Sequence, residues 1–496
     1  MTSTEMGQMS TRVADVLAID RSANAIEFGG RWWTWGDLAR TADQMAAVVP
    51  RPGTEVGILL RNTPASIGLL LGVLQAGACV VTINPGRGVE RTREDLAALD
   101  LPILAGDPAD LAELVPDGAR AAIVALASLG EDVVTTGGPP GGEGGTRTGV
   151  AVRMLTSGTT GTPKRIDLTY RTLERVMAVS KHYESNPDAA LRLRRGVAIV
   201  NSPLVHLGGV FRVLQCVTDG RSFSLLPRFT VDGWLDAVRR HRPATTSLVP
   251  AALRMVLAAD IDPEDVSSLR SVISGTAPLD PDDADAFFER YGVPVLVNYA
   301  ATEFGGGVAG WNVEDHRTFW ATKRGSVGRA HPGCQLRVID PESGDALPAG
   351  AEGLLEVQAA QLAEPGWVRT TDLARIDDDG FVWILGREDQ AIIRGGFKVR
   401  PDDVRAALER HPDVRGAAVI GREDQRLGAV PVAAVELRDG AGAVTTEDLL
   451  EHLEGLLARY EVPIEIRIVE DLPRTDSAKV DLVAVGELFA RDVAGA

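Results

Sequence analysis

Apolar runs of four or five residues recur through the first three quarters of the chain, each followed by a turn signal or by residues at helical spacing. Val56-Gly-Ile-Leu-Leu60, Cys79-Val-Val-Thr-Ile83, Gly196-Val-Ala-Ile-Val200, Thr246-Ser-Leu-Val249 and Val293-Pro-Val-Leu-Val297 read as buried strands. Strands alternating with helices predict an α/β fold. The stretch from Asn62 to Gly86 carries no charge, but Gly72 and Gly77 interrupt it and Pro64 and Pro85 lie near its ends. It predicts a helix, a glycine turn and a buried strand, and no membrane span.

Beyond about residue 385 the texture changes to that of a smaller α+β unit. One amphipathic helix opens at Pro401-Asp-Asp. A second opens at Thr445-Thr-Glu-Asp and carries Leu449, Leu450, Leu453, Leu456 and Leu457 on one face; the strand Ile464-Glu-Ile-Arg-Ile-Val469 follows. The run Gly137-Gly-Pro-Pro-Gly-Gly-Glu-Gly-Gly145 is too poor in apolar residues to pack and reads as a linker. There is no internal repeat.

At 496 residues the chain should hold at least two folding units. Its 51 basic against 69 acidic residues give a net charge of −18, which argues against a nucleic-acid partner and leaves any polyanion to be held locally. Cys79, Cys216 and Cys334 form no CxxC or Cys/His cluster, and the first residues carry no signal or lipidation pattern, so a reducing, cytoplasmic location is expected. Only Lys164, Lys181, Lys323, Lys398 and Lys479 are lysine in an otherwise arginine-using chain, which makes these five positions worth inspecting for a role that a planar guanidinium cannot fill.

The sharpest local signal is Leu155-Thr-Ser-Gly-Thr-Thr-Gly-Thr-Pro-Lys-Arg165. Thr156, Ser157, Gly158, Thr159, Thr160 and Gly161 offer backbone N–H groups and hydroxyls to phosphate oxygens, and Lys164 supplies charge. The spacing is not that of a Walker loop. The segment resembles the phosphate loop of the adenylate-forming superfamily of acyl-CoA ligases, peptide-synthetase adenylation domains and luciferases, with the acyl-CoA ligase branch the nearest. Further motifs follow in that family's order. Ser274-Gly-Thr-Ala-Pro-Leu279 is similar to its adenine-side segment (Gly275, Thr276, Ala277, Pro278), and Asn298-Tyr-Ala-Ala-Thr-Glu303 to its aromatic-Gly-x-Thr-Glu motif. Thr370-Thr-Asp372 with Gly386-Arg-Glu-Asp389 resembles the ribose-binding aspartate and the interdomain hinge, and Pro473-Arg-Thr-Asp-Ser-Ala-Lys479 the lysine loop.

The resemblance implies a large multi-subdomain N-terminal domain, 1–388, and a small mobile α+β domain, 389–496. It implies that Tyr299 stacks on adenine beside Asn298, Thr302 meets the α-phosphate, Glu303 holds Mg2+, Asp372 and Arg387 bind ribose, Asp389 is the pivot and Lys479 is the adenylation lysine. Gly395, Gly396, Phe397 and Lys398 would line the thiol tunnel, favouring coenzyme A over a carrier protein. His206 stands where relatives place a histidine near the acyl pocket; a buried structural histidine is the other reading. ATP, Mg2+ and coenzyme A are the implied cofactors, and a CoA thioester made through an acyl-adenylate the implied product.

Four positions depart from the family pattern: Arg165, Ala300, Thr371 and Ala478 stand where relatives carry glycine, all on the ATP side. Added side chains there would disturb close backbone approach. This raises an alternative, a thioesterification-only ligase fed by a separate adenylating enzyme; carrier-protein loading and an inactive binding homologue are further alternatives. Around the acyl pocket, His206, Leu207 and Gly208 with Phe304, Gly305 and Gly306 are expected to leave space for a bulky hydrophobic carboxylic acid.

Overall fold

The computed structural model describes residues 8–116, 118–137, 146–155, 164–181, 191–362, 366–438, 440–442, 444–475 and 479–490. The phosphate-loop residues Thr156, Ser157, Gly158, Thr159, Thr160 and Gly161, the linker residues 138–145 and Ala478 lie outside the described residues.

A seven-stranded sheet runs in the order Val134–Thr136, Ala122–Ala125, Ile103–Gly106, Glu55–Leu59, Cys79–Ile83, Val150–Leu155, Arg165–Thr169. Its centre is parallel and its outermost pairs are antiparallel. The strands Glu55–Leu59 and Cys79–Ile83 are buried along their whole length, which is why they read as unbroken apolar runs. The uncharged stretch resolves as expected into helix Pro64–Gln75, a turn at Gly77 and strand Cys79–Ile83. Gly72 lets that helix touch helix Trp35–Val48, since a Cβ there would lie 2.6 Å from Met45 Cβ. Among the described residues no helix is long and apolar enough to cross a membrane.

In a second sheet, Thr245–Ser247, Ser271–Gly275 and Val295–Ala301 are parallel, followed by antiparallel Gly306–Gly310 and Arg329–Ala330. The carboxyl ends of the parallel strands bring Gly275 and the Asn298–Glu303 motif to one edge, the usual place for ligands in such sheets. A four-stranded sheet of Arg194–Val200, Arg221–Leu225, Asn24–Phe28 and Arg31–Thr34 completes the central layers. An antiparallel sheet of Cys334–Ile339, Glu352–Ala359, Val368–Ile376 and Val382–Arg387 follows, and its register sets Asp372 opposite Arg387.

Asp389 sits in a single helical turn, Glu388–Gln390, between this sheet and the next. The last sheet holds Ile392–Arg394, Phe397–Val399, Val414–Asp424 and Gly428–Leu437, with Glu465–Val469 paired parallel to Gly428–Leu437. Helices Pro401–Glu409 and Thr446–Glu454 open where the capping signals placed them, the second with a complete Thr445/Asp448 capping box. The expected leucine face is too long: the helix stops at Glu454 before Gly455, so Leu456 and Leu457 lie beyond it, Leu456 exposed. The helix Leu482–Ala490, which carries no amphipathic pattern, was not expected.

Candidate active site

Three of the sequence-predicted residues, Tyr299, Asp372 and Arg387, meet where strand Val295–Ala301 packs against the antiparallel sheet that ends at Arg387, and the charges of Glu303 and Lys479 lie close by. The Tyr299 hydroxyl donates to Asp372 Oδ2, and Asp372 Oδ1 lies 4.0 Å from Arg387 Nε. Burial pushes the Asp372 carboxyl above the ordinary aspartate range, although the Tyr299 hydrogen bond and the Arg387 charge pull the other way. Burial also pushes the Tyr299 phenol up, reinforced by the Asp372 charge. Glu303 projects from the short turn Thr302–Phe304 and is exposed, while Phe304 behind it is buried with its ring 6.2 Å from Tyr299.

Lys479 arrives at this cluster from the C-terminal unit. Burial pulls its ammonium below the ordinary lysine range; the Glu303 charge raises it and the Arg387 charge lowers it, so both large-body residues act on this amine. Its loop is closed at the base: Arg474 bridges Val480, the Thr475 amide donates to the Lys479 carbonyl at 2.8 Å and the Asp481 amide to the Pro473 carbonyl at 2.8 Å. Buried Glu436 holds that base, accepting from the Leu472 amide at 3.0 Å and Arg474 Nη2 at 3.2 Å.

Among the described residues no group of three His, Cys, Asp or Glu is arranged to hold a metal. Glu303 offers one exposed carboxylate. Mg2+ keeps most of its water and needs only one or two carboxylates when nucleotide phosphates share it, so these residues fit a Mg2+ that binds with its nucleotide.

Three of the four glycine replacements can be located, and they do not damage the cluster. Arg165 points away from it: its side chain is 7% exposed, Nη2 meets Asp95 Oδ2 at 2.5 Å and Nη1 donates to the Thr82 carbonyl at 3.1 Å. It therefore braces strand Arg165–Thr169 against strand Cys79–Ile83 and helix Val89–Leu99, next to exposed Lys164. Thr371 Oγ1 accepts from Arg387 Nε at 3.1 Å and Nη2 at 2.7 Å. Ala300 is exposed opposite Gly307.

Other predicted residues sit elsewhere. Gly275 ends its strand against the Asn298 carbonyl, and the next residue, Thr276, has φ +73, a costly conformation for a β-branched side chain that recurs at functional sites. Ala277 and Pro278 continue this rim as a loop. The Asn298 side chain turns to His331, with Oδ1 2.9 Å from Nε2. Gly395 and Gly396 form the left-handed turn of a hairpin, and this turn and Phe397 contact their own domain: the Gly395 amide donates to the Leu427 carbonyl at 2.7 Å, and exposed Phe397 stacks on Tyr460 at 4.6 Å. Lys398 lies 3.7 Å from Glu388. It is Lys479, at the end of the lysine loop, that lies within reach of the Glu303 and Arg387 charges.

His206 caps helix Leu207–Thr218, and a Cβ on Gly208 beside it would meet nothing within 4 Å. The expectation of space at Phe304-Gly-Gly-Gly307 is corrected. A Cβ on Gly305 would lie 2.4 Å from Thr172 Cγ2, one on Gly306 3.2 Å from Val176 Cγ1, and one on Gly307 2.7 Å from Asn298 Oδ1. Helix Tyr170–Lys181 and Asn298 already occupy those directions.

The family model described as "AMP-binding enzyme" matches residues 14–365, and "AMP-binding enzyme C-terminal domain" matches residues 403–479. The chain belongs to the AMP-binding enzyme family. Relatives of this AMP-binding enzyme include an indoleacetate–CoA ligase of Aromatoleum aromaticum, 30% identical over 95% of this chain and 98% of that one. A 4-coumarate–CoA ligase 5 of Oryza sativa subsp. japonica is 27% identical over 91% and 88%. Among solved structures, ATP-bound MatB from Rhodopseudomonas palustris superposes with a TM-score of 0.82 at 26% identity, covering 97% and 98%. The protein is an AMP-forming acid–thiol ligase of the acyl-CoA ligase kind. Nothing in these matches supports a separate adenylating partner.

Proposed function

We propose that this AMP-binding enzyme carries out both half-reactions on an aromatic or arylalkyl carboxylic acid, in the cytoplasm to which its three free cysteines are suited. The observation that carries the reading is the cluster of Tyr299, Glu303, Asp372 and Arg387 with Lys479 delivered to it from the other domain. The acid class rests on the indoleacetate and 4-coumarate relatives.

In the first half-reaction a carboxylate oxygen attacks the α-phosphorus of ATP and the bond to the bridging oxygen breaks, so pyrophosphate leaves. Both reactants are anionic, and the need is for neutralised charge and in-line positioning more than for a base. Lys479 supplies a cation at that point, and its burial strengthens the attraction. Asp372 and Arg387 hold the ribose, Tyr299 lies on the adenine side, Thr302 reaches the α-phosphate, and Lys164 with the preceding loop takes the outer phosphates. When bound, Mg2+ at Glu303 neutralises phosphate charge. In the second half-reaction the thiol of coenzyme A attacks the acyl carbonyl, its proton passes to solvent and AMP leaves. Rotation about Asp389 would exchange the lysine loop for the Gly395-Gly396 hairpin.

The test compares wild type with Lys479→Ala on indoleacetate, 4-coumarate and a long fatty acid. Product is followed from acid, ATP and coenzyme A, and separately from the synthetic acyl-adenylate and coenzyme A. The variant should lose adenylation by about a hundredfold or more and keep thioester formation from the adenylate. Loss of both to the same degree, or a wild type active only on the adenylate, would overturn the reading.

A further inference from the structure

Arg387 is held by more than its ribose-side neighbour. Its Nε and Nη2 form one edge of the guanidinium fork, and each of these nitrogens has two acceptors. Nε donates to Thr371 Oγ1 at 3.1 Å and Asp389 Oδ1 at 3.0 Å; Nη2 donates to Thr371 Oγ1 at 2.7 Å and Asp389 Oδ2 at 2.7 Å. The two partners differ in mechanical setting. Asp389 lies in the helical turn Glu388–Gln390 between two sheets, where backbone dihedrals change if the C-terminal domain rotates. Thr371 lies inside strand Val368–Ile376, which is paired on both sides by Glu352–Ala359 and Val382–Arg387. Its neighbour Thr370 ties the strand further, donating from Oγ1 to the Leu355 carbonyl at 2.8 Å and accepting the Asp372 amide at 3.0 Å.

We propose that Thr371 is a positioning residue whose hydroxyl keeps Arg387 on the nucleotide side independently of the hinge. A hydroxyl oxygen has two lone pairs and can accept both donors at once; a glycine there offers no acceptor. While Asp389 is in place the two acceptors share the fork. When the hinge turns and takes Asp389 with it, Thr371 and Asp372 remain, and Arg387 need not be reordered before each new nucleotide binds. What reads at first as a missing glycine is then a replacement contact, and it frees the hinge aspartate from being the sole anchor of that arginine.

This rests on the reading of Asp372 and Arg387 as the nucleotide site, and the experiment separates the two. AMP and ATP binding to the full chain is measured by titration calorimetry for wild type, Thr371→Val, Thr371→Ser, Asp389→Asn and the double variant Thr371→Val/Asp389→Asn, with thermal unfolding followed for each. Thr371→Val keeps the shape and removes the acceptor; it should weaken AMP roughly fivefold without lowering the unfolding temperature, and Thr371→Ser should restore binding to within about twofold. The double variant should lose more than the product of the single losses, because each partner covers for the other. Wild-type AMP affinity in Thr371→Val, failure of serine to rescue, or strictly multiplicative losses would overturn the proposal while leaving the nucleotide site intact. A wild type that binds neither nucleotide would overturn the site reading and the proposal with it.

Discussion

At the scale of single residues, Arg165 shows how a side chain acquires its meaning from partners the local motif does not contain. Next to the phosphate-loop lysine it reads as an obstruction, but its guanidinium is committed to Asp95, seventy positions earlier, and to the Thr82 carbonyl. Asp95 is itself only 19% exposed, so removing the arginine leaves a largely buried carboxylate without its cation. Arg165→Met should therefore destabilise the chain by about 3 kcal/mol in denaturant unfolding, and Arg165→Gly, which also frees the backbone, by no less. Adenylation by Arg165→Gly should fall with stability; a rise in pyrophosphate release at unchanged stability would contradict the brace. The contact cannot be read from sequence because nothing in the spacing of two charges seventy residues apart announces a pair.

At the scale of elements, helix Pro250–Ala258 presents Arg254 to three acceptors from three directions. Nε lies 3.1 Å from Asp283 on helix Pro281–Tyr291; Nη1 donates to the Arg415 carbonyl at 3.3 Å and lies 4.0 Å from Glu409, both in the C-terminal unit. Arg415 in turn reaches Glu436, the residue that holds the lysine loop. Arg254 thus fastens the domain in the orientation that presents Lys479. Arg254→Ala should slow pyrophosphate exchange by about tenfold, a shift of ~1.4 kcal/mol between orientations, and leave thioester formation from a supplied adenylate unchanged or faster. Equal slowing of both steps would sink the idea.

The same contact carries a pH dependence. Burial pushes the Asp283 carboxyl up to about 6, against the Arg254 and Arg438 charges and with help from Asp280 and Glu409. The folded, docked protein thus binds a proton that the free carboxyl, at 3.8, has already lost. Stability from this group is therefore greatest below about pH 4 and falls as pH rises to about 6. Asp283→Asn should flatten unfolding free energy across that window, and an unchanged slope would exclude Asp283 as its source.

Elements with a strong local signal were the legible ones. Strands buried on both faces announced themselves as apolar runs, and the Thr445 capping box marked a helix start; its end went unread because Leu456 and Leu457 continue the spacing past the cap at Gly455. Helix Leu482–Ala490 escaped because it is apolar on nearly every side. The placing of the C-terminal unit and the Arg254 contacts depend on pairings between elements distant in sequence, which no local pattern encodes.

At the scale of the whole molecule, the ordered motifs were enough to foretell that Tyr299, Asp372 and Arg387, far apart in sequence, come together. The acyl pocket was the reverse: small residues suggested emptiness, while in the folded chain Thr172, Val176 and Asn298 fill the directions that Gly305, Gly306 and Gly307 leave open. Gly306→Trp should consequently cost stability before it alters acid preference, a loss read as a lower unfolding temperature with the relative rates on indoleacetate and a fatty acid unchanged; a selective loss of large acids at full stability would restore the roomy pocket.

The sheet that begins at Ile392 has apolar cores of its own, one around Val404, Leu408, Val435 and Leu453 and another around Val432, Val485 and Phe489. Every residue of those two cores lies beyond the turn at Asp389, and among the described residues the units are joined by a short backbone crossing and by polar contacts such as those of Arg254 and Arg400. Heat absorbed on melting should then divide into two peaks whose enthalpies are unequal, and each substitution should move the peak of the unit that holds it.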